Sequence, residues 1–174
     1  MPSVDTWDAI RSRRNVREFA DRPVSSADLD RVLEAGRRSP SSRNWQPWDF
    51  IVVTDHERLR DLAGVWQGAW HVANAPAAIA LIAPNPQDER QRELIQYDLG
   101  QATMSMMLAA ADQGIGTCHS AVSDQELARK ILRFPDDRFC AYLFSIGYPT
   151  AHPLAPLQRP NRRAFDDVVH REHW

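Results

Sequence analysis

The chain has 174 residues, of which 43% are hydrophobic, and its formal net charge is −2 at pH 7. This length suits one domain with a substantial core and is too short for two domains of ordinary size. A near-neutral balance gives no basis for nucleic-acid binding, which normally needs a basic excess. The two cysteines, Cys118 and Cys140, lack the paired spacing of a disulfide framework or a thiolate metal site, so we expect a reducing compartment.

The hydropathy pattern gives no sign of a membrane segment. The most apolar stretch, residues 72–83, contains Asn74 and Pro76 and is too short to span a bilayer. The first residues contain no apolar signal core. We therefore expect a soluble, cytoplasmic protein without a membrane partner and without a bound metal.

The N-terminal half alternates helical and strand patterns. Asp5 or Thr6 can cap a short helix whose last turn carries the first arginines. Ser25–Asp28 resembles a capping box, and the helix after it should run to Arg38. Short β-branched or apolar runs and a further helical pattern predict strands at 50–53 and 77–82 and a helix at 57–65.

The C-terminal half is dominated by a long helix at 90–113, which is apolar on most sides after Leu99. Such a helix is either a central core helix or a dimer seam. Beyond it we predict a strand or loop at 117–122, a capping box at 123–126, a helix at 127–132, a strand at 139–146, an extended proline-rich arm, and a final helix at 165–172. Strands interleaved with helices indicate an α/β or α+β domain.

A basic segment, Ile10–Phe19, is the first candidate binding motif. Arg13, Arg14 and Arg17 can hold a phosphate through paired charge-assisted hydrogen bonds, and Asn15 can bond to hydroxyls or a ring edge. The alternative is a solvated surface cluster balanced by neighbouring acids. The segment becomes informative in combination with a second motif.

That second motif is Ser39–Trp48, in which short polar residues precede a Trp-Gln-Pro-Trp run. The polar part alone could be a helix-terminating loop. A proline-restricted aromatic pair beside hydroxyl and amide groups suits a planar ligand better than a plain turn. Together the two motifs predict a site for a phosphorylated planar molecule, formed between chains.

Other sequence features that could indicate catalysis or metal binding are better explained by structural roles. Cys118 and His119 are adjacent on an extended segment, point to opposite faces and lack an acidic partner at recognisable spacing, so packing is preferred to catalysis. His170 and His173 lack further ligands for a metal. Dinucleotide-binding, P-loop and zincin motifs do not occur in the sequence.

The two binding motifs resemble those of the FMN-dependent nitroreductase family in its short single-domain form. Residues 13–19 are similar to the family's Arg-Arg-Ser-x-Arg-x-Phe, with Asn15 in place of Ser, and residues 39–48 are similar to Pro-Ser-x-x-Asn-x-Gln-Pro-Trp. Further matches, which extend the resemblance over nearly the whole chain, are Asp98–Gly100, Gly114–Cys118, Gly147–Pro149 and Arg159–Arg163.

The resemblance implies an α+β three-layer sandwich with a mostly antiparallel central sheet flanked by helices. It implies one FMN-binding domain over residues 1–174, in an intertwined homodimer whose FMN sites lie at the interface and whose arm, 150–174, packs on the partner. The implied FMN-binding residues are Arg13, Arg14, Asn15, Arg17, Pro40, Ser41, Ser42, Asn44, Gln46, Ser120, Ala121, Val122, Arg159, Arg162 and Arg163.

Within that set, the resemblance implies that residues 40–46 come from the other subunit and that a backbone N–H of the segment 119–122 faces flavin N5. The tail arginines would close on the phosphate, with the choice between Arg162 and its neighbours left open. In the implied reaction, NADH or NADPH delivers hydride to FMN and leaves, and an electron-poor acceptor such as a nitroaromatic or quinone then takes the electrons. Trp45, Trp66, Trp70 and Tyr97 are candidate pocket residues.

Several alternatives to this reaction stay open at the level of sequence. The same scaffold could support dehalogenation, ene reduction or flavin breakdown, because a fold does not select a reaction. The chain could also store flavin without turning over, or act as a basic interaction module that binds no cofactor.

Overall fold

The computed structural model describes residues 5–174, which contain five α-helices and four β-strands. The helices are α1 (Thr6–Ser12), α2 (Ser26–Arg37), α3 (His56–Leu62), α4 (Glu89–Asp112) and α5 (Gln125–Leu132). The strands are β1 (Asp49–Val53), β2 (Ala77–Pro84), β3 (Gly116–Ala121) and β4 (Arg138–Gly147). Single turns or short runs of 3₁₀ helix cover Ser42–Asn44, Ala63–Val65, Gln67–Val72 and Phe165–Asp167.

The four strands form one antiparallel sheet in the order β1-β2-β4-β3. β2 is buried along almost its whole length, and its side chains alternate between the two faces of the sheet. Ile79 and Leu81 join one hydrophobic cluster, whereas Ala80 and Ile82 join a second cluster on the opposite face. The sheet therefore separates two cores, and both of its faces are covered.

Helices on both faces complete a three-layer sandwich. α2 and α4 supply Val32 and Met106 to the first core, and α3 and α5 supply Leu62 and Ala128 to the second. Each of these four side chains is fully buried. The predicted α+β three-layer fold with an antiparallel central sheet is thus confirmed, and the long helix at 90–113 is α4.

Short polar side chains set where several helices begin. The hydroxyl of Ser25 accepts from the N–H of Asp28 at 3.1 Å and caps α2 as predicted. The predicted cap at Ser123 is wrong by one residue, because the carboxylate of Asp124 accepts from the N–H of Leu127 at 2.8 Å and starts α5 there. Within residues 5–174, no helix has the combined length and apolar character needed to cross a membrane.

The predicted final helix at 165–172 is wrong. Only Phe165–Asp167 form a 3₁₀ turn, and the side chains of Phe165 and Val168 are exposed. A helix of eight residues depends on packing of an apolar face, and these residues do not pack on the rest of the chain. The extended arm itself agrees with the sequence pattern, whereas its packing on a partner stays a prediction.

Candidate functional site

The basic segment lies along the outer edge of β3. α1 ends at Ser12, and the N–H of Val16 then donates to the carbonyl of Thr117 at 2.9 Å. This approach requires Gly116, because a Cβ there would lie only 2.6 Å from Cγ2 of Val16. The arginines on either side of Val16 are therefore fixed against the edge of the sheet.

Two of these arginines have no partner within residues 5–174. The guanidinium groups of Arg13 and Arg17 form no hydrogen bond or ion pair with any described residue, including the nearby Glu18. Arg14 donates to the carbonyl oxygens of His152 and Pro153 at 3.3 and 2.9 Å. This arrangement disfavours a surface cluster neutralised by its own acids and leaves two charges available for an anion.

Cavities flank the segment on both sides. A cavity of about 330 Å³ is lined by Arg13, Gly100, Thr103, Met104, Met107, His119 and Tyr142. A second, of about 370 Å³, is lined by residues 14–18 and 149–152 together with Trp70. The predicted pocket residue Trp70 thus lies at this site.

His119 contributes a neutral ring to the first cavity. Partial burial lowers the pKa of His119, and the charges of Arg13 and Arg17 lower it further. Its ring meets that of Tyr142 edge-on, with centroids 6.4 Å apart, and the Tyr142 hydroxyl donates to Oε1 of Gln96 at 2.6 Å. A proton on His119 is therefore disfavoured by the same cations that would attract a phosphate.

The outer edge of β3 also offers backbone donors. Because N–H groups alternate sides along a strand and Thr117 faces the basic segment, the N–H groups of His119 and Ala121 lie on that outer side. Ser120 instead faces β4 and is buried, and Val122 follows the strand and packs on the second core. Of the three residues predicted here, Ala121 is the one on the open edge.

The buried side chain of His71 is linked to β3 through Ser145, and sequence reasoning missed it. Nδ1 of His71 lies 2.8 Å from Oγ of Ser145, and that hydroxyl donates to the carbonyl of Cys118 at 3.2 Å. Nδ1 therefore carries the proton, and Nε2 is buried without a partner among the described residues. Burial lowers the pKa of His71 to about 4, and the charges of Arg17 and His119 act in the same direction.

The polar loop 39–46 is held in an uncommon backbone conformation. Arg43, Asn44 and Gln46 have φ angles of 54°, 57° and 56°, in the left-handed region. Both carboxylate oxygens of Asp98 accept from the N–H of Ser42, at 3.1 and 3.0 Å. The hydroxyl of Ser41 accepts from the N–H of Gln46 at 2.9 Å and closes the loop.

Asp98 is a second residue whose role the residue patterns missed. It is fully buried in α4, 56 residues from the loop that it holds. The available signal was a carboxylate at the start of the apolar part of α4, since a buried charge requires specific hydrogen bonds.

One chain does not bring all predicted site residues together. Asp98 and Ser105 on α4 bond to the loop, whereas Gly100 and Thr103 line the cavity next to Arg13. Residues two apart on a helix point in nearly opposite directions, so the loop and the basic segment lie on different faces of α4. The tail arginines, which are exposed and lie outside both cavities, are Arg159, Arg162 and Arg163.

Comparisons with known proteins identify the family of the chain. A model described as "Nitroreductase family" matches residues 10–85 and 65–148. A candidate NADH dehydrogenase/NAD(P)H nitroreductase of Archaeoglobus fulgidus is 32% identical over 169 residues, which are 95% of this chain and 96% of the relative. An NADH dehydrogenase of Thermus thermophilus is 29% identical over 197 residues, covering 91% of this chain and 96% of the relative.

Solved structures give the same result for the fold. An FMN-dependent nitroreductase from Clostridium difficile R20291 has a TM-score of 0.82 at 26% identity, covering 95% of this chain and 98% of its own. An NADPH:FMN oxidoreductase from Vibrio harveyi, solved with NAD+, has a TM-score of 0.82 at 20% identity, covering 95% of this chain and 76% of its own. Since the family model matches well over half of the residues, the chain belongs to the nitroreductase family.

Proposed function

We propose that this chain is an FMN-dependent NAD(P)H oxidoreductase that reduces an electron-poor small molecule such as a nitroaromatic or a quinone. The observation that carries the proposal is a pair of guanidinium groups, Arg13 and Arg17, which have no partner within residues 5–174 and line the two cavities beside an open strand edge. The names of the relatives support the same reading, because they include NAD(P)H nitroreductases and an FMN-dependent nitroreductase.

The donor set fits the phosphate and ribityl groups of FMN. Guanidinium groups hold phosphate through two parallel hydrogen bonds, and Arg13 and Arg17 have no competing partner within residues 5–174. Arg14 and the amide of Asn15 lie in the same segment, at the second cavity. We expect these four residues to bind FMN from one subunit, with one or more of Arg159, Arg162 and Arg163 closing on the phosphate.

A homodimer would complete the site. The loop residues Pro40, Ser41, Ser42, Asn44 and Gln46 lie on a different face of α4 from Arg13, so we propose that they reach the flavin of the partner. Exposed apolar side chains on α4 support a second copy there, since Tyr97 is 69% exposed and Met104 is 45% exposed. Within residues 5–174, the arm 150–174 bonds to the rest of its own chain only up to Leu157, and its exposed remainder is proposed to pack on the same partner.

FMN, when bound, supplies the capacity to take hydride from NAD(P)H and to pass electrons on to an acceptor. In our proposal the protein binds and orients the reactants. The outward N–H of Ala121 would be available to donate a hydrogen bond to the flavin ring, where negative charge develops on reduction. Burial and the charges of Arg13 and Arg17 lower the pKa of His119 and so disfavour its protonated form. The proposal assigns the redox chemistry to FMN and requires no side chain of the cavity as an acid or base. Donor and acceptor would use the site in turn, in a ping-pong sequence.

A comparison of FMN with riboflavin tests whether Arg13 and Arg17 bind the FMN phosphate. Arg13→Ala and Arg17→Ala should weaken FMN binding by at least tenfold more than they weaken riboflavin, which lacks the phosphate. Arg92→Ala on α4 serves as a control, because its exposed side chain lies outside every site described here. Equal losses for FMN and riboflavin would contradict the phosphate role.

A mixed dimer examines whether the two motifs act across subunits. If Arg13 and Asn44 bind the same flavin from different chains, a dimer of one Arg13→Ala and one Asn44→Ala subunit keeps one intact site. We expect that dimer to bind one FMN per two chains with near-normal affinity. Two weakened sites, one carrying each substitution, would show that both motifs act within one chain.

Reductive dehalogenation is the second candidate reaction. A relative from Haliscomenobacter hydrossis named iodotyrosine deiodinase is 24% identical over 93% of this chain. Release of iodide from iodotyrosine at a rate comparable to nitro-group reduction would favour this reaction. Flavin that binds and is reduced by neither nicotinamide would favour a storage role.

A cytoplasmic location is part of the main proposal, since NAD(P)H is the reductant and both cysteines are free.

A further inference from the structure

A separate cavity of about 590 Å³ lies between the polar loop and the beginning of α4. We name it the loop–helix cavity, and its lining residues are Ser42, Arg43, Trp45, Arg90, Gln91 and Leu94. Positions 90, 91 and 94 share one face of α4, within its first two turns. The cavity shares no lining residue with the two that flank the basic segment.

The loop–helix cavity carries two uncompensated positive charges. Within residues 5–174, neither Arg43 nor Arg90 forms a side-chain hydrogen bond or an ion pair. The lining contains no carboxylate. Asp98 is the acid bonded to the loop, and both of its oxygens accept from the N–H of Ser42. The carboxylate of Asp88 caps the start of α4 and offsets its helix dipole, so the two guanidinium groups supply the positive charge of the cavity.

The same cavity offers an apolar surface for a planar group. The side chains of Trp45 and Leu94 line it, and they remain 39% and 37% exposed. An exposed indole beside guanidinium groups can bind a flat ring and its anionic substituent together. Trp45 was a candidate pocket residue in the sequence, and the structure places it here.

The backbone at Arg43 is fixed by interactions on both sides. Its φ of 54° is a conformation that glycine or asparagine adopts more readily than arginine. Asp98 holds the N–H of Ser42, and the hydroxyl of Ser41 holds the N–H of Gln46. Such conformations persist where neighbouring bonds impose them, and they occur often at ligand-binding sites.

We propose that the loop–helix cavity is a subsite for an anionic group on a planar ligand that reacts at the flavin. The proposal rests on the proposed function, because Ser42 and Asn44 on either side of Arg43 are expected to contact FMN. Two ligands carry this chemistry. One is the electron acceptor, through a carboxylate on its ring, and the other is NADPH, through its 2′-phosphate.

The first experiment tests the electron acceptor as the ligand. It uses FMN-loaded enzyme with NADH as the electron donor, because NADH lacks the 2′-phosphate. The ratio of kcat/KM for 4-nitrobenzoate to that for neutral 4-nitrobenzamide is measured for the wild type, Arg43→Gln and Arg90→Gln. If the acceptor supplies the anion, the ratio should exceed one in the wild type and fall about tenfold in each variant. Arg43→Lys, which keeps the charge, should retain part of the preference.

The second experiment tests NADPH as the ligand. It keeps 4-nitrobenzamide as the acceptor and compares NADPH with NADH as electron donors. If the 2′-phosphate occupies the subsite, the NADPH preference falls about tenfold in Arg43→Gln and Arg90→Gln. Calorimetric titration gives a readout without turnover: 2′,5′-ADP is compared with 5′-AMP, and 4-nitrobenzoate with 4-nitrobenzamide. Arg92→Gln, an equal change of charge on α4 outside the cavity, should leave every ratio unchanged.

The outcomes separate this inference from the proposed function. Loss of one ratio in both cavity variants, with the Arg92→Gln ratio intact, supports the subsite and identifies its ligand. If neutral substrates are turned over and both ratios stay within twofold of the wild type in all variants, the proposed subsite is wrong. The proposal that the protein is an oxidoreductase then still stands. Absence of FMN binding, or of its reduction by NADH and NADPH, overturns both.

Discussion

The buried histidine beneath β3 predicts a specific dependence of stability on pH. His71 is 1% exposed, and protonation would place an N–H at Nε2 where no described residue accepts a hydrogen bond. Its pKa falls from 6.5 to about 4 in the folded protein, which corresponds to about 3 kcal/mol at 1.36 kcal/mol per pH unit. Because the unfolded chain takes up this proton first, the stability is fully present above about pH 6.5 and is lost as the pH falls toward 4.

Denaturant unfolding at pH 7 and pH 5 measures this effect. Replacing His71 by Leu or Gln removes the titrating group, so the free energy of unfolding of either variant should fall about 2 kcal/mol less between these pH values than that of the wild type. His56→Gln, at an exposed position, is the control. Protein and FMN concentrations are held equal so that ligand linkage cancels. Equal losses in the wild type and both His71 variants would refute the reasoning.

The remaining predictions concern the two segments that form the site. Gly116→Ala places a methyl group within 3 Å of three Val16 side-chain atoms, so it should lower the free energy of unfolding by about 1–3 kcal/mol and weaken FMN binding; normal FMN affinity would contradict the fixed position of the basic segment. Asp98→Ala leaves the N–H of Ser42 without its acceptor and should cost about 1–3 kcal/mol. Since Asp98 holds the loop, the variant should also weaken FMN binding, and unchanged affinity measured by fluorescence titration would exclude that role.

Local sequence signals predicted most of the secondary structure. The long helix was expected at 90–113 and is observed at Glu89–Asp112, because its apolar pattern and the glycine after it act over a few residues. Ser25 caps α2 for the same reason. The final helix failed because its apolar residues find no core within the chain, and propensity alone does not stabilise so short a helix.

The contacts that form the site depend on residues far apart in the sequence. Asp98 holds a loop 56 residues away, and His71 holds Ser145 across 74 residues. Neither pair has a local signature, since each is created by the order β1-β2-β4-β3 and the packing of α4. The basic segment and the polar loop were recognisable as motifs. Their positions on different faces of α4 were not, because which side of a helix a segment packs on is a tertiary property.

The most direct test of the central claim is the visible absorption spectrum of the purified protein. The spectrum is recorded with and without added FMN, and then after anaerobic addition of NADH and, separately, of NADPH. Our account predicts a stoichiometric bound flavin whose absorbance bleaches with at least one nicotinamide and returns when a nitroaromatic or quinone is added. A protein that binds no FMN, or a bound flavin that neither nicotinamide bleaches, would contradict it.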